Sequence, residues 1–253
     1  MIRKETQDHF DEIADTWTRK GWVNSNELNG EISKFIRKSE IKVGLDCLDH
    51  RSMLYLGIGT GALFEHLQRY HIAGVDRASN MLGQCPEGII QILSSCEELP
   101  FLMPNQFHAG FFRNLLKHCE SPEEATRTFY EKIREGFTLM GCESIVYDDE
   151  DINVPTSLVR LTDPSHPPFL SLRKIIEVFK GAGFRDISYR IFPFRDRWLG
   201  KWLDAEQAPP EIHREVLNLY EKNKGFREKY DVEIHPDGDI TSTVPWALIS
   251  ARK

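Results

Sequence analysis

The stretch Met53-Leu-Tyr-Leu-Gly57-Ile-Gly59-Thr-Gly61-Ala-Leu-Phe-Glu-His-Leu67 decides how the rest of the chain is read. Met53 to Leu56 is a short apolar run, long enough for a buried parallel strand and too short for a helix. Gly57, Gly59 and Gly61 follow at alternate positions, where glycine permits positive φ and leaves no Cβ between the backbone and a ligand. Ala62, Leu63, His66, Leu67 and Tyr70 then recur at helical spacing. A strand that turns through glycines into a helix points backbone N–H groups outward, and a nucleotide-like ligand suits such a turn.

Ile72 to Val75 supply a second strand, which ends at Asp76, nineteen residues after Gly57. A carboxylate at that place can accept both hydroxyls of a ribose. Gly57-x-Gly59-x-x-Ala62 fits a dinucleotide fingerprint, and Gly57, Gly59 and Gly61 fit the G-x-G-x-G of methyltransferases, so the glycines alone leave NAD and S-adenosylmethionine both open.

At 253 residues, 40% hydrophobic and 28% charged, the chain has the composition of a globular α/β protein with ample length for a core, and one domain is the economical reading. A net charge of −7 and a pI near 5.8 argue against a nucleic-acid or anionic-membrane partner. No run approaches the roughly 18 apolar residues of a membrane span, and the polar, acidic start MIRKETQDHFDE does not read as a signal peptide, so a cytoplasmic location is expected. The five cysteines, Cys47, Cys85, Cys96, Cys119 and Cys142, are odd in number and include no C-x-x-C, which suggests neither a disulfide framework nor a zinc knuckle.

Phe10, Ile13, Ala14 and Trp17 give a first helix one apolar face, and Leu28, Ile32, Phe35 and Ile36 mark a second. A third is expected over Ile41–Leu48. After Asp76 a short helix starts with Ser79 as its N-cap and ends at Pro86, followed by strands at Ile89–Leu93 and Phe107–Phe112. Ser121-Pro-Glu-Glu124 is a helix start with its cap, its N1 proline and its N3 glutamate. Phe129, Ile133, Phe137 and Met140 predict that this helix continues to Gly141, with a fifth strand at Ser144–Tyr147. Ser171 caps a further helix that Gly181-Ala-Gly183 breaks; a strand follows at Ile187–Phe192, a helical stretch from Arg195 to about Asp239, and a last, antiparallel strand at Val244–Ala251. The expected fold is a Rossmann-like, doubly wound, mostly parallel seven-stranded sheet with helices on both faces. Residues 1–50 would supply lid helices, 51–150 the cofactor half and 151–253 the acceptor half.

These residues resemble the class I S-adenosylmethionine-dependent methyltransferases, in particular the small-molecule branch that includes the quinone-biosynthesis methyltransferases. LYLGIGTG at 54–61, GVDRASNML at 74–82, CEELPF at 96–101, and FHAGFFRNLLKH with the capped helix after it carry the likeness, in that order. The resemblance implies that Gly57, Gly59 and Gly61 let the backbone approach the methionine half of S-adenosylmethionine. It implies that Asp76 holds the ribose hydroxyls, that Arg77 and Met81 flank the adenine, and that Cys96 and Glu97 sit at the adenine edge. Arg113 and Asn114 would lie beneath the sulfonium, and Trp17 or Trp22 could touch ligand from the lid. The chain departs from the family pattern where Tyr55 replaces the acid at the end of strand one, Ser95 replaces an Asp, His108 replaces another, and Met140-Gly-Cys142 replaces Pro-Gly-Gly. Those departures keep open a non-catalytic, methyltransferase-like binding or regulatory module.

Methyl transfer is an in-line displacement to which a protein contributes orientation and a dry pocket, so few side chains need be catalytic. For an oxygen or carbon acceptor His118 is the first candidate general base and His166, in the Asp163-Pro-Ser-His-Pro-Pro loop, the second; either could instead serve packing or a turn. Trp198, Trp202, Phe192 and Phe194 could roof an aromatic or isoprenoid-like acceptor, or the two tryptophans could form the seam of an added helix. Asp148 to Asp151 could border the acceptor mouth or form a solvated loop. His66 and His71, five apart, and the adjacent His118-Cys119 lack metal-ligand spacing, so no metal is expected. The expected partners are a small-molecule acceptor and S-adenosylmethionine, leaving as S-adenosylhomocysteine, in a monomer or homodimer.

Overall fold

The computed structural model describes residues 4–20 and 25–253, with side chains from 9–17 and 25–253. Trp22 lies outside the described residues. In chain order the elements are α1 (Lys4–Lys20), α2 (Asn26–Lys42), β1 (Ser52–Leu56), α3 (Phe64–Leu67), β2 (His71–Asp76), α4 (Ser79–Leu82), β3 (Ile90–Leu93), β4 (Phe107–Arg113), α5 (Pro122–Lys132) and β5 (Ile133–Ser144). They continue with α6 (Asn153–Val159), α7 (Leu172–Ala182), β6 (Arg185–Arg197), α8 (Leu199–Ala205), α9 (Pro210–Lys222), α10 (Lys224–Lys229), β7 (Glu233–Ile234) and β8 (Ile240–Arg252).

The sheet runs β3-β2-β1-β4-β5-β8-β6, with parallel pairing from β3 to β5 and antiparallel pairing of β8 to both β5 and β6. This is the expected seven-strand path, with the two-residue β7 paired to the outer part of β8. β1 is central and buried from Met53 onward, because alternate side chains serve two cores. Leu54 and Leu56 join Phe112, Phe129 and Phe179 under α5 and α7; Met53 and Tyr55 join Ile32, Ile36, Phe111 and Trp246 under α2.

Three local expectations are corrected. The helix from Ser121 stops at Lys132, and Ile133 enters β5 with extended backbone, while Gly136 takes φ +81°. The apolar positions Phe137 and Met140 mimic helical spacing, but the strand lies between β4 and β8 and is covered on both faces from Thr138 onward, where its burial is continuous. Gly141 permits that pairing: a Cβ there would lie 2.1 Å from Phe112 Cζ. The expected helix at Ile41–Leu48 is instead the end of α2, a left-handed Gly44 and one tight turn at Leu45–Cys47. Ser79 is the first residue of α4 rather than its cap; Ala78 stands at the cap, and its amide is held by Asp76 Oδ1 at 3.0 Å.

Ser121 and Ser171 cap α5 and α7 as their sequences imply, accepting from Glu124 N at 3.1 Å and Lys174 N at 3.2 Å. β6 runs through Arg197 before the helical stretch begins, so the segment to Asp239 forms a lobe of α8, α9, α10 and β7. Trp198, Trp202, Val216, Tyr220, Tyr230 and Ile240 form its core, with Leu158 from α6. Asp148 and Asp151 both take the Lys229 ammonium at 2.6 Å, so that acidic run ties β5's exit to the lobe.

α1 spans the two halves. Asp11 Oδ1 accepts from Asn80 N at 2.7 Å on one side, and Thr16 Oγ1 donates to Ala205 O at 2.9 Å on the other. No helix among the described residues is long and apolar enough to cross a membrane.

Candidate functional site

A cavity of about 320 Å³ opens at the C-terminal ends of β1, β2, β4 and β5, the place where open α/β sheets take ligands. Tyr55, Gly57, Gly59, Asp76, Arg77, Met81, Cys96, Glu97, Arg113, Asn114, His118 and His166 all line it. Gly61 does not: its φ is +73°, and a Cβ there would strike Pro86 Cδ at 2.8 Å, so it shapes the turn from behind.

Gly57 and Gly59 adopt φ +64° and +56°, a region that costs L-residues roughly 1–2 kcal/mol. Nothing stands within 4 Å of a Cβ built on Gly59, so open space adjoins this backbone. Asp76 Oδ2 accepts from Gly59 N at 2.8 Å. Burial raises the Asp76 carboxyl above its ordinary range, against the pull of the Ala78 and Gly59 amides. Each carboxylate oxygen keeps a further lone pair for ligand hydroxyls.

Arg113 ends β4 with its guanidinium 5.7 Å over the Trp246 ring, and burial lowers its basicity. Asn114 takes φ +49°, and its side-chain oxygen accepts from Ser144 N at 3.1 Å and from Lys117 Nζ at 3.1 Å. It thereby fixes the loop beneath the cavity. Tyr55 is buried edge-on against Phe111, ring centroids 4.8 Å apart, and desolvation pushes its phenol up. His108 lies outside the cavity lining; its Nδ1 accepts from Ser52 N at 3.2 Å at the far end of the strands.

Glu143 was not singled out from sequence, yet it underpins this end of the sheet. Fully buried, its Oε2 accepts from Leu115 N and Leu116 N, each at 2.9 Å, while Lys117 Nζ stands 3.7 Å from Oε1. Desolvation pushes the Glu143 carboxyl up to about 7, against the attraction of Lys117.

His118 and His166 meet edge to face with ring centroids 4.7 Å apart. His166 is 3% exposed, stacks on Phe169, and holds Pro167 O at 2.5 Å through Nδ1. A carbonyl only accepts, so Nδ1 carries the proton and Nε2 presents a bare lone pair. His166 Nε2, His118 Nδ1 and Asp163 Oδ2 are all buried and have no hydrogen-bond partner among the described residues. Desolvation and the nearby Lys117 charge lower His166 to about 4, and desolvation with the His166 ring takes His118 well below its ordinary value. Both rings are therefore neutral near pH 7.

Trp17 and Phe10 of α1, Trp198 and Trp202 of the lobe, and Phe194 of β6 close this side of the cavity. The two tryptophans serve as lobe core and cavity wall at once; Phe192 is not part of the lining. His9 and Glu206, also in the lining, stand 3.0 Å apart across the α1–α8 junction. Burial works against a charged His9, but the Glu206 contact together with the Asp163 and Glu12 charges raises the histidine. Neither residue carries a local signal, because the pairing exists only once α1 lies on α8.

Residues 54–140 match the family model described as a methyltransferase domain. No curated protein matches the chain in sequence. Among solved structures, YcgJ from Bacillus subtilis is similar at 17% identity and TM-score 0.77, covering 88% of this chain and 97% of its own. An S-adenosylmethionine-dependent methyltransferase from Archaeoglobus fulgidus aligns at 16% identity, TM-score 0.58, over 90% and 95%. A phosphoethanolamine N-methyltransferase from Haemonchus contortus, in complex with phosphomonomethylethanolamine and S-adenosylhomocysteine, aligns at 18% identity, TM-score 0.52, over 81% of this chain and 49% of that one. Residues 54–140 are thus similar to a methyltransferase domain, and the chain shares the fold of these solved methyltransferase structures.

Proposed function

We propose that the chain is an enzyme that binds S-adenosylmethionine and transfers its methyl group to a small-molecule acceptor. One observation carries this reading: a glycine turn with open backbone and a carboxylate at the end of β2 share a single cavity with a neutral histidine pair, whose His166 Nε2 and His118 Nδ1 have no hydrogen-bond partner among the described residues, and an aromatic wall. Bound S-adenosylmethionine supplies an electrophilic methyl on a sulfonium. Gly57 and Gly59 would approach its methionine half, Asp76 would hold the ribose hydroxyls, Arg77 and Met81 would flank the base, and Cys96 with Glu97 would meet its edge. Asn114 and Arg113 shape the floor between cofactor and acceptor.

On the acceptor side the aromatic wall excludes water and favours an apolar, aromatic or isoprenoid-like body, the acceptor class of the quinone-biosynthesis branch. His166 Nε2 is the atom that would receive an acceptor hydroxyl or ammonium proton as the displacement proceeds, with His118 packed against it. Because His166 is already unprotonated at neutral pH, it needs no prior deprotonation.

Calorimetric titration with S-adenosylmethionine and S-adenosylhomocysteine tests the reading, with Asp76→Ala as control. Micromolar binding that collapses in the variant is expected. A folded protein that takes neither ligand would overturn it.

A further inference from the structure

Cys96 and Cys119 are twenty-three residues apart in sequence, yet their Sγ atoms lie 3.5 Å apart, and Cys96 Sγ is 3.3 Å from Glu97 Oε2. The three ligand atoms all fall within 4.8 Å of one another, and all three residues line the cavity. Around a tetrahedral zinc ion, bonds of about 2.3 Å to sulfur and about 2.1 Å to oxygen place two sulfurs roughly 3.8 Å apart and sulfur and oxygen roughly 3.6 Å apart. Two edges of one tetrahedral face, Sγ to Sγ and Cys96 Sγ to Glu97 Oε2, therefore already stand within a few tenths of an ångström of these lengths, and the third, Cys119 Sγ to the Glu97 carboxylate, spans no more than 4.8 Å.

The surroundings hold that face in place. Glu97 Oε1 accepts from Glu120 N at 3.2 Å, Glu97 O accepts from Thr128 Oγ1 at 2.9 Å, and the Ser95 hydroxyl donates to Oε2. Such outer contacts orient a ligand carboxylate. Two thiolates and a carboxylate around a divalent cation leave one net negative charge, and Arg77 lines the same cavity beside them. The sequence conceals the grouping, because its members come from the loop after β3 and the turn after β4.

We propose that Cys96, Cys119 and Glu97 form a binding site for one thiophilic divalent cation such as Zn²⁺, and that its occupation excludes the adenine end of the cofactor from the cavity. The second half rests on the cofactor reading above. Binding forms two metal–sulfur bonds and one metal–oxygen bond, releases two thiol protons to solvent and moves no electrons, with water from the cavity as fourth ligand. Affinity should accordingly rise with pH.

The test is titration of the reduced 253-residue chain with Co²⁺ and then Zn²⁺. One Co²⁺ per chain with thiolate-to-cobalt charge-transfer absorption, displaced by stoichiometric Zn²⁺, is expected. Cys96→Ser, a partly exposed site, should lose the band while keeping its melting temperature, and Cys47→Ser, elsewhere on the surface, should retain it. Absence of the band, or its survival in Cys96→Ser, would overturn the site. Free Zn²⁺ at about ten times its Kd should then weaken S-adenosylhomocysteine binding about tenfold. Equal affinity with and without zinc would overturn the exclusion. If the zinc-free protein takes no S-adenosylhomocysteine, the cofactor reading and the exclusion fall together, while the cobalt band still decides the metal site.

Discussion

Asp76 Oδ2 accepts the amide of Gly59 at 2.8 Å, so the carboxylate that ends β2 also clamps the glycine turn that leaves β1. Its other oxygen holds Ala78 N at 3.0 Å and sets the start of α4. One side chain thus shapes the backbone on both sides of this end of the cavity.

Asp76→Ala should therefore cost more than a ligand contact. Two hydrogen bonds to a charged group are worth about 1.5–3 kcal/mol each, so binding of S-adenosylhomocysteine should fall by about 100-fold or more, with a lowered melting temperature. Asp76→Asn should fall between, because its amide oxygen can replace one acceptor and its NH₂ cannot replace the other. Calorimetry on the three proteins checks the order; an alanine variant that binds within about threefold of the parent would contradict it.

Gly59→Ala and Gly61→Ala should separate binding from stability. At Gly59 the φ of +56° costs alanine roughly 1–2 kcal/mol, and the new methyl enters open space on the cavity side. Ligand affinity should drop there more than stability does. At Gly61 the same strain combines with a Cβ 2.8 Å from the Pro86 ring, so the main effect should be a larger fall in denaturation midpoint. Urea titration beside calorimetry distinguishes the two.

His166 should make stability acid-sensitive. Its folded value of about 4 lies below the ordinary 6.5, so the unfolded chain binds more protons between those values and stability rises with pH across that window. Acidification from about pH 6.5 to pH 4 should remove about 3 kcal/mol from this group, and His166→Asn should flatten that part of the profile. If His166 Nε2 receives the acceptor proton, the variant should also lose about 10²–10⁴-fold in kcat with little change in cofactor affinity.

Glu143→Ala should be among the most damaging single changes near the site. It would leave the Leu115 and Leu116 amides without acceptors and the Lys117 ammonium buried beside a cavity, a loss of about 3–5 kcal/mol. Glu143→Gln, which keeps an acceptor oxygen for the two amides, should lose less. Denaturant unfolding of both variants gives the comparison.

The parallel half of the sheet was legible in sequence because its signals are local. Each of β1, β2 and β4 is a short apolar run, and two helix starts were announced by serines that do cap them, Ser121 and Ser171. β5 was misread because a strand covered on both faces shows no alternation, and Phe129, Ile133, Phe137 and Met140 fell by chance at near-helical intervals. Only pairing with β4 and β8 shows Ile133–Ser144 to be a strand.

The candidate site divides the same way. Gly57, Gly59 and Asp76 could be named from spacing because one βαβ unit brings them together, whatever the rest of the chain does. His166 Nε2, the His9–Glu206 contact, Glu143 with Lys117, and the Cys96–Cys119 pair were decided by tertiary structure. Each joins segments far apart in the chain, and its chemistry depends on burial: exclusion of water lowers His118 and His166 and raises the thiols and Glu143. The amino-acid sequence by itself determined the glycine turn after β1 and the carboxylate at the end of β2 that faces it. The packing of α1 and the α8–α10 lobe over the strand ends decided what else stands in that cavity, because spatial convergence and desolvation exist only in the folded chain.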